Sequence, residues 1–171
     1  MIVVLRLSHR RERDKRISTH VGLVARALGA NKLVYSGEQD DNYESSINKV
    51  VENWGGNFGI TYEKNAEKVI SFYKKKRFTV VHLTMYGSEL EKDIKKIRKC
   101  KDLLVIVGGE KVPGEVYKES DFNISVTNQP HSEVAALALF LDRYFKGKEM
   151  GLKFKNAKLR IKPNPKGKSF Y

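Results

Sequence analysis

His131 and Glu133 stand two residues apart in the segment VIVGGEKVPGEVYKESDFNISVTNQPHSEVAALALFLDR, Val105–Arg143, and each can exchange a proton or hold a hydrogen-bond donor. An imidazole titrates near neutrality, which suits His131 to general base work. Glu133 opens an apolar helical pattern, so the positive end of the helix is expected to keep its carboxylate ionised. The same segment holds Gly108-Gly109, a pair that lets a ligand approach the backbone where a bulky side chain would block it. No Cys/His set has zinc-ligand spacing, and no metal is expected.

Two short strands must position these groups. Leu103–Val107 is a continuous apolar run of the kind buried on both faces, ending at the glycine pair. Phe122–Val126 ends in Thr127-Asn128-Gln129-Pro130, which is turn chemistry, and Ser132 then caps a helix over Glu133–Tyr144. Open α/β sheets bind ligands at the carboxyl ends of parallel strands, beside free helix N–H groups, so two such ends in succession imply one pocket. Four more strands are expected at Ile2–Leu7, Leu33–Tyr35, Phe58–Tyr62 and Thr79–Leu83. Helical spacing lies between them: Ile17, Val21, Val24, Ala25 and Leu28; then Ile47, Val50, Val51 and Trp54; then Val69, Ile70 and Tyr73. Alternation of this kind predicts an α/β fold with a mostly parallel sheet and helices on both faces. No G-x-G-x-x-G follows the first strand, which disfavours a dinucleotide site. His82, inside an apolar strand, is expected as a satisfied core histidine.

The words LRLSHRRERDKRISTHVGLVARALGA, VHLTMYG, VGGEKVP and NQPHSEVAALALFLDR, in that order along most of the chain, resemble the SPOUT methyltransferases. Within these they are most similar to the archaeal group that methylates the ribose of the T-loop cytidine of tRNA. The resemblance implies a SPOUT-type sheet with a C-terminal trefoil knot, S-adenosyl-L-methionine as methyl donor, tRNA as substrate and a homodimer. It implies cofactor contacts from Leu83, from Gly108, Gly109, Glu110, Lys111 and Val112, and from Val126 through Glu133 (Val126, Thr127, Asn128, Gln129, Pro130, His131, Ser132, Glu133). The 2′-O-methylating members carry an arginine six residues after an asparagine on the first helix. His20 and Arg26 have that spacing here, which makes Arg26 the implied catalytic residue, orienting phosphate and lowering the hydroxyl pKa by charge rather than acting as a base. The group's Ser-x-Asn before the last helix reads His131-Ser132-Glu133, so His131 and Glu133 take the remaining catalytic places. An enzyme for a different RNA ribose, or a non-catalytic knotted RNA-binding protein, are the alternative readings.

Charge is the second clue. The 171 residues carry a formal +13, yet residues 31–145 hold 17 charges of each sign, so the excess sits at +5 in residues 1–30 and +8 in residues 146–171. If the ends meet on one face, they make a patch for a polyphosphate backbone. The candidates for RNA contact are Arg10, Arg11, Arg13, Lys15 and Arg16, expected as a loop after the first strand, and Lys153, Lys155, Lys158 and Arg160 near the end. We expect a methyltransferase domain over 1–150 and a basic extension over 151–171, with Ala157–Ile161 as an added edge strand. The longest apolar run, Val134–Leu141, is too short to span a bilayer. A single cysteine, Cys100, excludes an internal disulfide framework and fits a reducing, cytoplasmic setting.

Overall fold

The computed structural model describes residues 1–109 and 111–171. Six strands, β1 (Ile2–His9), β2 (Lys32–Gly37), β3 (Gly59–Tyr62), β4 (Thr79–Glu89), β5 (Leu103–Val107) and β6 (Phe122–Ser125), form one sheet in the order β3-β2-β1-β5-β4-β6. Every pairing is parallel. The helices are α1 (Arg11–Ala27), α2 (Asp41–Trp54), α3 (Ala66–Lys75), α4 (Leu90–Ile97), α5 (Gly114–Glu119) and α6 (Glu133–Phe145). All six expected strands and the helices at α1, α2, α3 and α6 are present. The helices α4 and α5 are additional; eight and six residues are too short for periodicity to separate them from loops.

Side chains alternate across each strand, so each face builds its own core. Val4, Val81, Val105 and Ile124 pack with Val21 and Ala25 of α1, Ile47 of α2, Ile94 of α4 and Leu137 and Phe140 of α6. Val3, Leu5, Val80 and Ile106 pack on the other side with Val69 and Tyr73 of α3 and Val116 of α5. This parity carries Arg6 onto the α1–α6 face of β1.

One irregularity shapes the site. β4 pairs with β6 as far as Leu83, leaves it, and rejoins at Ser88, with Ile124 opposite both residues. The four residues between form a bulge, which a bulge's extra length turns away from the ladder. Gly87 closes it against β6: a Cβ there would lie 2.5 Å from the Asn123 carbonyl. Asn128 pins the same bulge by donating from Nδ2 to the Met85 carbonyl at 2.6 Å.

The segment after α6 makes no edge strand. Ile161 forms one isolated antiparallel bridge with Phe170, and the turn between them lies over Pro163 and Pro165, which lack the N–H a ladder needs. The hairpin lies on the C-terminal end of α2: Gly56 N donates to Lys155 O at 2.9 Å, Leu159 N donates to Asn53 O at 2.9 Å, and Trp54 lies against Phe170. No helix among the described residues is long and apolar enough to cross a membrane.

Candidate functional site

The carboxyl ends of β4 and β5 and the start of α6 enclose a cavity of about 480 Å³, within the roughly 300–1,000 Å³ usual for small-molecule sites. Leu83, Val107, Val112 and Ala136 give it apolar walls, and Gly108 and Gly109 form its floor turn. Thr84, Met85 and Tyr86, the bulge of β4, form its lip. A side chain on Gly108 would meet Val112 Cγ2 at 3.0 Å, whereas at Gly109 nothing among the described residues lies within 4 Å. Gly109 also borders a second cavity of about 630 Å³ on the α1 side, so any side chain added there projects into ligand space. His131 and Glu133 line the first cavity as well; His131 is exposed and its Nδ1 lies 2.6 Å from Gln129 O. Ser132 caps α6, accepting from Val134 N at 3.2 Å.

Glu133 has partners that sequence spacing did not reveal. Arg6 is 2% exposed, and its Nη2 lies 3.1 Å from Glu133 Oε1 and 3.5 Å from Asp14 Oδ2. One buried guanidinium therefore serves two carboxylates from two helices. A buried arginine needs such partners, because desolvation penalises an unpaired charge heavily. The two acids are driven apart. Burial pushes Glu133 up from the usual carboxylate range, against the pull of Arg6. Burial would also raise Asp14, but Arg6 and Arg10 together hold it below that range. Burial and Asp14 thus work against the ionised form of Glu133, and Arg6 favours it. Its second oxygen, Oε2, has no hydrogen-bond partner among the described residues.

His82 is buried, as expected of a core histidine, but only half satisfied. Its Nδ1 lies 2.9 Å from Asn123 Oδ1, which is the oxygen because Asn123 Nδ2 donates to Tyr117 O. That fixes Nδ1 as the donor and leaves Nε2 as an acceptor without a partner among the described residues. His82, Thr84 and Tyr117 all border the first cavity, with Thr84 Oγ1 3.0 Å from Tyr117 Oη. Burial holds the imidazole below its ordinary pKa, opposed by the bond to Asn123.

Of the cofactor residues implied by resemblance, the first cavity gathers Leu83, Gly108, Gly109, Val112, Pro130, His131, Ser132 and Glu133. Lys111 borders the second cavity, and Glu110 lies outside the described residues. Val126 and Thr127 instead line a separate cleft with Leu90 and Arg143, because the turn after β6 carries them toward α4. Asn128 and Gln129 act on the walls, through the bulge and through His131. Ile17, His82, Thr84, Tyr86 and Tyr117 border the cavity without having been foreseen.

Arg26 departs most from expectation. It sits in the last turn of α1, beyond Arg13, Asp14 and Ile17, the residues of that helix that line the cavities, 7% exposed, with Nη2 donating to Trp54 O at 2.7 Å and Gly55 O at 2.6 Å. Within one protomer it therefore does not meet His131 and Glu133. It satisfies carbonyls at the end of α2, and burial lowers its pKa. His20 is exposed on α1.

The basic residues also regroup. Arg11, Arg13, Lys15 and Arg16 ride the first two turns of α1 rather than a loop, and Arg10 and Arg13 border the second cavity. Lys153, Lys155, Lys158 and Arg160 are exposed at the other end of α1, with Lys158 paired to Glu52. Eleven helical residues follow Arg16 in α1 and set the two groups at least about 16 Å apart along the helix, so they lie toward its opposite ends.

Residues 54–171 match the family model for tRNA ribose 2′-O-methyltransferase, aTrm56. The chain is 57% identical over 171 residues to a tRNA (cytidine(56)-2′-O)-methyltransferase of Methanocaldococcus jannaschii, covering 98% of this chain and 94% of that one. It is 52% identical to the protein of the same name from Methanopyrus kandleri, covering 97% and 93%. Among solved structures it is similar to the SpoU methyltransferase AviRb from Streptomyces viridochromogenes in complex with AdoMet, at TM-score 0.64 and 15% identity, covering 89% of this chain and 59% of that one. It is similar in fold to an A. aeolicus TrmH/SpoU tRNA modifying enzyme, at TM-score 0.64 and 16% identity, covering 86% and 75%.

Proposed function

Because this chain belongs to the tRNA ribose 2′-O-methyltransferase family, we infer that it transfers a methyl group from S-adenosylmethionine to the 2′-hydroxyl of cytidine-56 in the T loop of tRNA. The observation that carries this reading is the 57% identity with a tRNA (cytidine(56)-2′-O)-methyltransferase across 98% of the chain. The first cavity supports the cofactor. Its glycine floor, apolar walls and the unpaired acceptor at His82 Nε2 suit a ligand with a flat heteroaromatic ring and hydroxyls. When bound, S-adenosylmethionine supplies a methyl group activated by an adjacent positive sulfur.

The remaining work falls to this chain. Leu83, Val112 and Ala136 exclude water from the reacting centre, which strengthens every electrostatic contact there. His131 and Glu133 stand over the same cavity as the groups able to take a hydrogen bond from the ribose hydroxyl and orient it. The C-terminal half is read as a trefoil knot, with the chain after Val107 passing through a loop and α6 tucked behind it. A homodimer is proposed with it. Residues 1–150 form the methyltransferase domain and 151–171 an RNA-contacting extension, and a tRNA substrate implies work in the cytoplasm. A non-catalytic RNA-binding protein would call for a blocked cavity, whereas this one is open.

Nucleoside mass spectrometry of a tRNA transcript incubated with the protein and S-adenosylmethionine tests the reading. Formation of 2′-O-methylcytidine at position 56 is the expected result. Methylation elsewhere in the transcript, or none at all, overturns it.

A further inference from the structure

The two cavities meet at three residues, Ile17, Gly109 and Glu133. On the methyltransferase reading one of them holds the cofactor, and the acceptor must reach the junction from the other. The second cavity has the composition of a nucleotide seat. Its rim carries Arg10, Arg13 and Lys111 for phosphate, and Glu38 offers a carboxylate that a cytosine amine could reach. Its floor is strained and tightly tied. Ser8 has φ 55, a conformation rare outside glycine and one that concentrates at functional sites. Buried His9 beside it is held by Ser18 Oγ at 2.8 Å and Asp40 Oδ2 at 3.2 Å.

Of the three described residues at the junction, Glu133 is the acid. Its Oε1 is taken by Arg6 and its Oε2 has no partner among the described residues. Arg6 is itself fixed, donating from Nη1 to Leu7 O at 2.6 Å, and Asp14 is fixed by Arg10 N at 3.1 Å. The carboxylate is thus clamped at Oε1, while its buried Oε2 is left without a partner among the described residues, an acceptor held in one orientation.

We propose that the second cavity seats the methyl-accepting nucleotide, and that Arg6 and Asp14 hold Glu133 at the junction so that its Oε2 accepts the hydrogen bond of the ribose 2′-hydroxyl. Arg6 and Asp14 are positioning residues; Glu133 is the one that touches substrate. The charged and titratable groups around Glu133 are Arg6 and His9 from β1, Arg10, Arg13 and Asp14 from the start of α1, and Tyr43 from α2. Glu38, Lys111 and His131 add to these from the loops, among the described residues. Arg6 favours the ionised form of Glu133 and Asp14 opposes it.

That opposition supplies the test. Glu133 is followed directly in the full-length protein by carboxyl carbon-13 resonance, assigned through Glu133→Gln, while pH is varied without any ligand. Arg6→Gln should move the Glu133 midpoint up by about 1–3 units, and Asp14→Asn should move it down. Single-turnover methylation of tRNA should show an acid limb that moves with each midpoint, and Glu133→Gln should lose the limb with a rate loss on the order of a hundredfold. Should Arg6→Gln fail to fold, Asp14→Asn alone still sets a direction. If both midpoints move and the acid limb stays in place, or if neither moves, this inference is overturned while the methyltransferase reading stands. If the wild-type protein methylates no cytidine, that reading falls instead.

Discussion

The guanidinium of Arg26 lies 4.4 Å from the centroid of the Phe154 ring, while its Nη2 binds the last carbonyls of α2. One side chain thus joins α1, α2 and the C-terminal extension. Arg26→Ala should cost about 2–4 kcal/mol of stability, the scale of losing charged hydrogen bonds to carbonyls that are then left unpaired. It should weaken tRNA binding by loosening the extension, yet leave the single-turnover rate at saturating tRNA within a few-fold. Chemical denaturation and rapid-quench methylation check this. A folded variant slowed a hundredfold would return Arg26 to the reacting atoms.

Gly109→Val should leave the melting temperature unchanged, since nothing among the described residues lies within 4 Å of the added Cβ, but lower S-adenosylmethionine affinity at least about tenfold by filling the space where the cavities meet. Calorimetry reads the affinity. Gly87→Ala should do the reverse and disrupt folding, because its Cβ would collide with the Asn123 backbone rather than with a movable side chain.

His82 gives a signature in stability. Its folded pKa lies below the ordinary value of about 6.5. The contribution is therefore complete above that pH and is lost as the pH falls toward the folded pKa, because the unfolded chain takes up its proton first. The stability advantage of the wild type over His82→Leu should shrink as pH drops from about 7 to 5. Urea melts across that range measure it, and a constant difference would mean that the imidazole titrates as if free.

Replacing Lys153, Lys155 and Arg160 with Gln should weaken tRNA binding and flatten its log–log salt dependence by a little under one unit per lost phosphate contact. Lys158→Gln should matter least, since Glu52 already sits against it. Filter binding at several salt concentrations decides it; an unchanged slope would leave RNA contact to the first turns of α1.

Leu103–Val107 and Ile2–Leu7 announce themselves because a strand covered on both faces has no polar side to show, and α1 does so because Val21 and Ala25 recur at its buried face. The glycine turn and the Ser132 cap are equally local. Arg6 is different. A lone arginine inside IVVLRLSH signals that anions must come to it, but Glu133 is 127 residues away and only the folded sheet supplies it. The contacts of Arg26 were hidden for another reason: spacing along a helix fixes which face a residue takes, not that its head will reach the carbonyls of Trp54 and Gly55.

The two basic regions at either end of α1 make the helix a ruler. A ligand that engages both at once must itself present phosphates about 16–25 Å apart, which a folded RNA can do and a short single-stranded fragment cannot do without paying to stay extended. Selection by size would then precede selection by base, and an isolated stem-loop would be held by one end of the protein only.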